Sequence, residues 1–446
     1  MAEPASFLEK LSQWFRNSIT FKIFSIAFLI LLLMIPSSMV ESLIRERQYR
    51  KESAVNEISS KWGGSQTICG PILSVPYYEE VLDYSNNLKR LKKNAYFLPQ
   101  QLKVNGDLLP EKRHRGIYEA VLYEADLALS GSFEKPDFSV WKIQEEAILW
   151  DEAELIVGIS DLKGVNEKVV VQLEGQKINL QSGLSHQEVV ASGISARVNL
   201  KELDSLTVFH FQTQLSINGS GVMDFIPVGE ETEVLIHAPW KNPKFSGNFL
   251  PDEHSISDAH FDAQWKVLQL NRNFPQQWNK EGSHFNGSEF GVELMIGVDQ
   301  YQKNERSAKY SILVLSLSFL IFFFIEVVNR KRIHPIQYLL VGLALLLFYT
   351  LLLSISEQAS FTVAYVIASV AIIALISFYV NAFFKSRKFT ALLSGTLLML
   401  YGFVFVILQL QDYSLLVGSI GLFIVLSIVM YASRKIDWYS ISKDEA

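Results

Sequence analysis

A single cysteine, Cys69, in 446 residues excludes any disulfide within the chain. In its Thr67-Ile68-Cys69-Gly70 setting it reads as a small buried apolar side chain rather than a reactive thiol. The chain also lacks a surplus of positive charge. Forty Lys and Arg stand against forty-six Asp and Glu, a net charge of −6, so nothing draws it to nucleic acid. A nucleophile elbow, a phosphate loop, a dinucleotide fingerprint, His-Glu-x-x-His and Cys-x-x-Cys are all missing. The usual reasons to expect an enzyme or a cofactor are therefore absent, and no catalytic, cofactor-binding or metal residue is assigned.

What is present is apolar length. Tyr310–Val328, Ile336–Ile355, Phe361–Val380, Phe389–Leu410 and Tyr413–Tyr431 are runs of 19 to 22 residues, interrupted only by Glu326 in the first. About 20 helical residues cross a hydrocarbon core of roughly 30 Å. Inside lipid a lone segment of this kind satisfies its backbone only as a helix, which overrides the β-propensity of its Ile, Val and Phe. Ile23–Val40 is a sixth run. It resembles a secretory signal, with Pro36-Ser37-Ser38 near its end, but its length and the lack of a clean small-residue site favour an uncleaved anchor.

The breaks between runs orient the chain. Arg330-Lys331-Arg332, then Lys385, Arg387 and Lys388, then Arg434 and Lys435 mark every second break, whereas the others hold Glu357 and Asp412. Short basic loops stay cytosolic, so both termini are expected in the cytosol and the long insertion outside it. Arg45, Arg47, Arg50 and Lys51, just past the first run, point the other way, but long domains translocate largely regardless of charge. The expected divisions are 1–18, a cytosolic interfacial segment with Phe7, Leu8, Leu11, Trp14 and Phe15 on one face; 19–40, the first span; 41–308, an exported domain; 309–432, a five-helix bundle; and 433–446, a cytosolic tail anchored by Trp438 and Tyr439.

The exported stretch reads as mostly β, as a sandwich or a pair of subdomains. Period-two alternation appears in Ile117-Glu119-Val121-Tyr123, in Phe209 to Ile217 and across Glu233–Ile236, and Leu155–Val157 and Val169–Val171 resemble buried strands. Asn-Gly pairs at Asn105, Asn218 and Asn286 predict tight hairpin turns. Residues 41–61 instead suggest a helix continuing out of the first span.

Candidate chemistry is thin. Asp252-Glu253-His254 with Asp258 and His260 has metal-ligand types at loop spacing, but in a Ser- and Asp-rich stretch after Pro251 a solvated loop is the simpler reading. Glu145, Glu146, Asp151 and Glu152 around Trp150 likewise read as a solvated edge. Lys22, Glu326, Glu357 and Asp412 sit at or near span ends, which leaves the bundle centre without charge and weighs against an ion-coupled transporter. Tyr349, Tyr365, Asn381 and Tyr401 are the only material for a polar path between spans. Ala364, Ala368 and Ala371, and Ser414 with Gly418, mark faces for close helix packing.

Several blocks resemble landmarks of the CreD family of bacterial inner-membrane proteins. They are Trp62 with Gln66; Gly70-Pro71-Ile72-Leu73-Ser74-Val75-Pro76-Tyr77; Arg115-Gly116-Ile117-Tyr118; and Phe225-Ile226-Pro227-Val228-Gly229. The second half adds Asp299-Gln300-Tyr301-Gln302-Lys303, Glu305-Arg306, Lys309-Tyr310, His334-Pro335-Ile336-Gln337-Tyr338-Leu339-Leu340-Val341-Gly342, Asp412-Tyr413 and Arg434 to Tyr439. The likeness runs from about Arg45 to Tyr439. It implies a role in cell envelope integrity, stress response and tolerance to certain colicins, and it brings no catalytic residue. Gln358 stands where the family pattern has His, and Gln411 where an acidic residue is usual, so no role for that His carries over. Gly70-Pro71 and His334-Pro335 read as turn and helix-start chemistry, while Glu305, Arg306 and Lys309 suit a link between exported domain and bundle.

The expectation is thus a polytopic α-helical membrane protein of six transmembrane helices with a large, mostly β periplasmic domain. It works by binding envelope proteins or glycans, with membrane lipids as its surroundings; the alternative is a lipid- or glycan-handling enzyme or transporter. Oligomeric state does not follow from the sequence.

Overall fold

The long apolar runs are helices in the computed structural model, which describes residues 19–82, 88–186, 188–203, 205–280, 285, 287–296, 300–329, 333–410 and 413–434. Six helices are long and apolar enough to cross a membrane. The chain divides into two units, Met1–Arg50 with Val298–Ala446, and Lys51–Gly297.

The first unit is helical. Helix α1 spans Ile19–Trp62, of which the first part belongs here, with Pro36 inside it. Helix α2, Gln300–Lys309, precedes the spans α3 (Ser311–Asn329), α4 (Pro335–Ser356), α5 (Phe361–Phe384), α6 (Arg387–Gln409) and α7 (Ser414–Ser433). The expected interfacial segment 1–18, the basic loop at 330–332, Asp412 and the Trp438-Tyr439 anchor lie outside the described residues.

The start of α4 accounts for the His334-Pro335-Ile336-Gln337-Tyr338 block. His334 is the N-cap: its Nδ1 accepts from the Ile336 N–H, while Gln337 Oε1 accepts from the His334 N–H at 3.0 Å, closing a capping box. Pro335 follows at the first helical position, where its missing N–H costs nothing. One turn further, Gly342 has no Cβ because the Leu33 side chain and the Phe319 ring occupy that space, so α1 and α3 close on α4 there.

The small-residue faces differ in part from expectation. Ala364 and Ala368 are buried, but Ala371 is exposed, and Ile372 continues the buried face instead. On α7 the close approach is at Gly421, against the Phe403 ring, rather than at Gly418, whose nearest neighbour is Ile407 Cδ1 at 4.0 Å. On α5 the buried stripe follows the 3.6-residue period and Ala371 falls off it; on α7 Ser414, Gly418 and Gly421 share one stripe, whose buried member is Gly421.

The second unit is two sheets. The nine-stranded sheet runs Pro243–Gly247, Phe290–Leu294, Val222–Ile226, Gln66–Leu82, Ala153–Ile159, Gly193–Val198 and Gln181–Ser182, with Leu88–Phe97 also on the long strand and Gln277–Trp278 beyond it. The eight-stranded sheet runs Glu253–Ile256, Phe261–Leu268, Glu231–Ala238, Gln101–Arg115, Tyr118–Glu134, Val208–Ser220, Val170–Leu173 and Gln176–Asn179. Pairing is antiparallel except between 66–69 and 223–226 and between 101–107 and 231–237. Phe209, Phe211, Thr213, Leu215 and Ile217 are buried while His210, Gln212 and Gln214 face out, so the period-two pattern marks the buried face.

One continuous buried cluster draws on both sheets. Trp265 and Phe290, from opposite sheets, have ring centroids 5.7 Å apart, and Tyr123 donates its O–H to the Val222 carbonyl at 2.6 Å. Each such aromatic, fully withdrawn from water, contributes about 1.5–3 kcal/mol. This is the sandwich alternative.

Two turn expectations fail for one reason. Asn105-Gly106 lies within the strand Gln101–Arg115, where the Leu127 and Ile236 side chains come within 2.8 Å of the place a Gly106 Cβ would take. Asn218-Gly219 lies within Val208–Ser220 with the Tyr123 ring over Gly219, and the turn comes at Gly221, φ +69°. Both glycines admit a neighbouring side chain, and tertiary packing overrides the local turn signal. Asn286 is outside the described residues, but Gly287 next to it has φ +76°. Gly70-Pro71 is likewise no turn: it sits in the strand Gln66–Leu82 at a register shift against Ala153–Ile159.

Candidate functional site

Three groups of polar residues stand out, two in the helical unit and one in the β unit. At one end of the helical unit, Lys22 Nζ lies 2.9 Å from Glu326 Oε1. Glu326 is 4 % exposed although it stands only one turn before the end of α3. Its Oε1 also accepts the Ile333 N–H at 3.0 Å, and its Oε2 accepts the Tyr338 O–H at 3.1 Å. An uncompensated buried carboxylate costs several kcal/mol, so the cation and both donors are what make this position tolerable. Beside the pair is a cavity of about 470 Å³ bounded by Ser25, Ile26, Leu29, Ile333 and His334.

At the other end of α4, α2 crosses the helix ends. Tyr301 donates to Glu357 Oε1 at 3.1 Å, and Arg47 Nε lies 3.9 Å from the same oxygen. Asn304 Nδ2 donates to Ser356 Oγ at 2.8 Å, and Arg306 to the Leu410 carbonyl at 3.3 Å. Of the three residues expected to link the exported domain to the bundle, Glu305 and Lys309 pair with each other at 3.3 Å, and Arg306 bonds the Leu410 carbonyl of the bundle. The buried residues of α2 are Tyr301, Asn304, Ser307 and Ala308, one period-3.6 stripe.

Between the two ends, Tyr349, Tyr365 and Tyr401 gather around Phe348, with ring centroids 4.9, 5.2 and 4.6 Å from it. Tyr365 donates to the Tyr401 carbonyl, whereas the buried hydroxyls of Tyr349 and Tyr401 have no partner among the described residues. Asn381 stands apart, its Oδ1 accepting from Thr390 at 3.5 Å. The four residues do not converge: three aromatic rings pack against one another and the amide lies elsewhere.

The third group is the outward face of the eight-stranded sheet. There a recess of about 780 Å³ is walled by Asn105, Asp107, Asp126, Gln172, Gln212 and Gln214, from four adjacent strands. Side chains alternate along each strand, so one face collects every second amide and carboxylate. The array offers both donors and acceptors to a polar ligand.

The suspected carboxylate clusters disperse. Asp252 Oδ2 accepts the Lys266 N–H at 2.7 Å, His254 packs on Phe245, and His260 bonds Ser257. Asp262 pairs with His237 at 2.7 Å, which holds its carboxyl below the ordinary range. Among the described residues no three such side chains are placed to hold a metal ion. Around Trp150, Glu145 accepts the indole N–H, Asp151 pairs with Lys201 at 3.0 Å and Glu152 with Lys92. Cys69 is buried within its strand, and burial pushes its thiol well up.

That Glu326 and Lys22 lie at span ends follows from the sequence; that they meet in a buried site does not. Their shared side of the membrane, combined with a Tyr four residues past a helix-start His-Pro, was the available signal.

Residues 18–439 match the family described as inner membrane protein CreD. The inner membrane protein CreD of Escherichia coli (strain K12) is 30 % identical over 436 residues, covering 96 % of this chain and 95 % of that protein. With its six apolar helices and near full-length match, this chain belongs to the CreD family of multi-pass inner membrane proteins.

Proposed function

We propose that the protein contributes to cell envelope integrity, stress response and colicin tolerance by binding, with its β unit outside the cytosol and both termini inside. The polar recess on the outer face of the eight-stranded sheet carries this reading. Amides and carboxylates spaced across four strands suit a hydroxyl- and amide-rich polymer such as an envelope glycan, or the polar surface of an envelope protein. The reading is of a binder rather than an enzyme.

Orientation rests on the basic breaks at 330–332, 385–388 and 434–435. Of the discordant cations past the first span, Arg45 lies beside Glu41, Arg50 beside Glu46 and Arg47 beside Glu357. They stand at the head of a long insertion, and long domains translocate largely regardless of such charges.

Full-length protein in nanodiscs is to be assayed for co-sedimentation with isolated cell-wall glycan and for crosslinking to envelope proteins. Gln212→Ala with Gln214→Ala should weaken the interaction at least tenfold with the fold intact. Turnover of a lipid or glycan by the purified protein, with no partner captured, would reject binding in favour of the enzyme or transporter class. A reporter at Asn218 that is active only in the cytosol would reject the orientation.

A further inference from the structure

We infer that the cavity between α1 and α4, beside Lys22 and Glu326, binds the phosphodiester of an anionic membrane phospholipid with an acyl chain along its apolar wall. The chemistry of the lining is divided. Ile26, Leu29, Ile333 and Pro335, with Phe21, form apolar walls, and the polar groups Lys22, Ser25, Glu326, Tyr338 and His334 complete the lining. That is the profile of an amphiphile, and the helices on which it sits are long and apolar enough to cross a membrane.

The sign of the headgroup follows from which groups have capacity left. Glu326 is largely committed: Oε1 takes Lys22 and the Ile333 N–H, Oε2 takes the Tyr338 O–H, and its charge is already met by Lys22. The Tyr338 hydroxyl has spent its proton there. Ser25 donates to the Phe21 carbonyl. Lys22 has three N–H donors and a single acceptor among the described residues, and its side chain is 27 % exposed. His334 uses Nδ1 as the acceptor in its helix cap, so the neutral ring carries its hydrogen on Nε2, a second donor. The unspent charged capacity is the donor set of Lys22. It fits phosphate oxygens, whereas a choline cation would have to compete with Lys22 for the Glu326 carboxylate. Free phosphate fits the donors equally well, but not the apolar wall, and the lipid is the source we adopt.

The test uses the full chain, purified and delipidated in detergent, with adducts read by native mass spectrometry. Short-chain phosphatidylglycerol should bind at least tenfold more tightly than phosphatidylcholine of the same chains, and millimolar inorganic phosphate should not displace it. Lys22→Met with Glu326→Gln removes both charges, keeps a carbonyl acceptor for the Ile333 N–H and turns an amide donor toward the Tyr338 oxygen. It should abolish the preference. Ile26→Trp fills the cavity and leaves the ion pair in place; it should weaken phosphatidylglycerol tenfold or more, and it carries the test alone if the double variant does not fold. His334→Asn, which keeps a capping side chain, should reduce the preference two- to fivefold. Equal affinity for the two lipids in the unaltered protein, undiminished binding in Ile26→Trp, or full displacement by inorganic phosphate would each overturn the assignment.

Discussion

Tyr338 holds Glu326 from the next helix: the phenol donates to Oε2 at 3.1 Å while Lys22 faces Oε1 at 2.9 Å. Glu326→Ala should therefore destabilise the helical unit by about 3–5 kcal/mol, because it strands a cation, and Tyr338→Phe by about 1–3 kcal/mol. The charge-free pair Lys22→Met with Glu326→Leu should cost less than Glu326→Ala alone. Thermal unfolding of the four proteins in one detergent completes the comparison.

Gly342→Ala places a methyl group where Leu33 and Phe319 already sit. A cost of about 1–3 kcal/mol is expected, recovered in part by Leu33→Ala in the same chain. Recovery, measured by unfolding midpoint, identifies the α1 contact as the cause.

Gly70 has φ +123°, and a Cβ there would lie 2.9 Å from the Ile156 carbonyl oxygen. Gly70→Ala should cost about 1–3 kcal/mol from backbone conformation alone, with the clash in addition. The expected sign is a β unit that becomes protease-sensitive while the spans stay intact.

Asp224 lies among apolar strands, and burial first, then the charges of Glu289 and Glu293, raise its pKa. A carboxyl that binds its proton more tightly when folded adds stability fully below the unfolded pKa and loses it as pH rises through the raised value. At neutral pH the charged form is a burden. Asp224→Asn, which keeps an oxygen for Ser246, should unfold at a higher temperature than the parent at pH 7, with the gap closing toward pH 4. A gap that widens on acidification would refute this.

The spans were legible because hydrocarbon thickness sets their length and lipid forbids any other backbone for a lone segment. The buried faces of strands such as Val208–Ser220 were legible for a similar reason: alternation is local. Asn105-Gly106 was misread because the decisive neighbours, Leu127 and Ile236, come from other strands. Glu326 was placed correctly along its span and misjudged in its surroundings, since its partners come from α1, the segment before α4 and α4 itself. The recess on the outer sheet face was invisible for the same reason, being assembled from four strands that share no local motif.

The parallel pairing of 66–69 with 223–226 has a temporal side. The strand Gln66–Leu82 is made early, yet one of its edges stays open until Val222–Ile226 emerges, and the next place in that sheet waits for Phe290–Leu294. At roughly 5–20 residues per second of synthesis, the first of these delays lasts about 7–30 s. For that interval the edge at Gln66–Cys69 has unsatisfied backbone groups while Leu73–Leu82 are already paired with Leu88–Phe97, and an open edge is the condition under which chains aggregate or recruit holding chaperones. Biogenesis, rather than the finished molecule, is where this sandwich is most vulnerable.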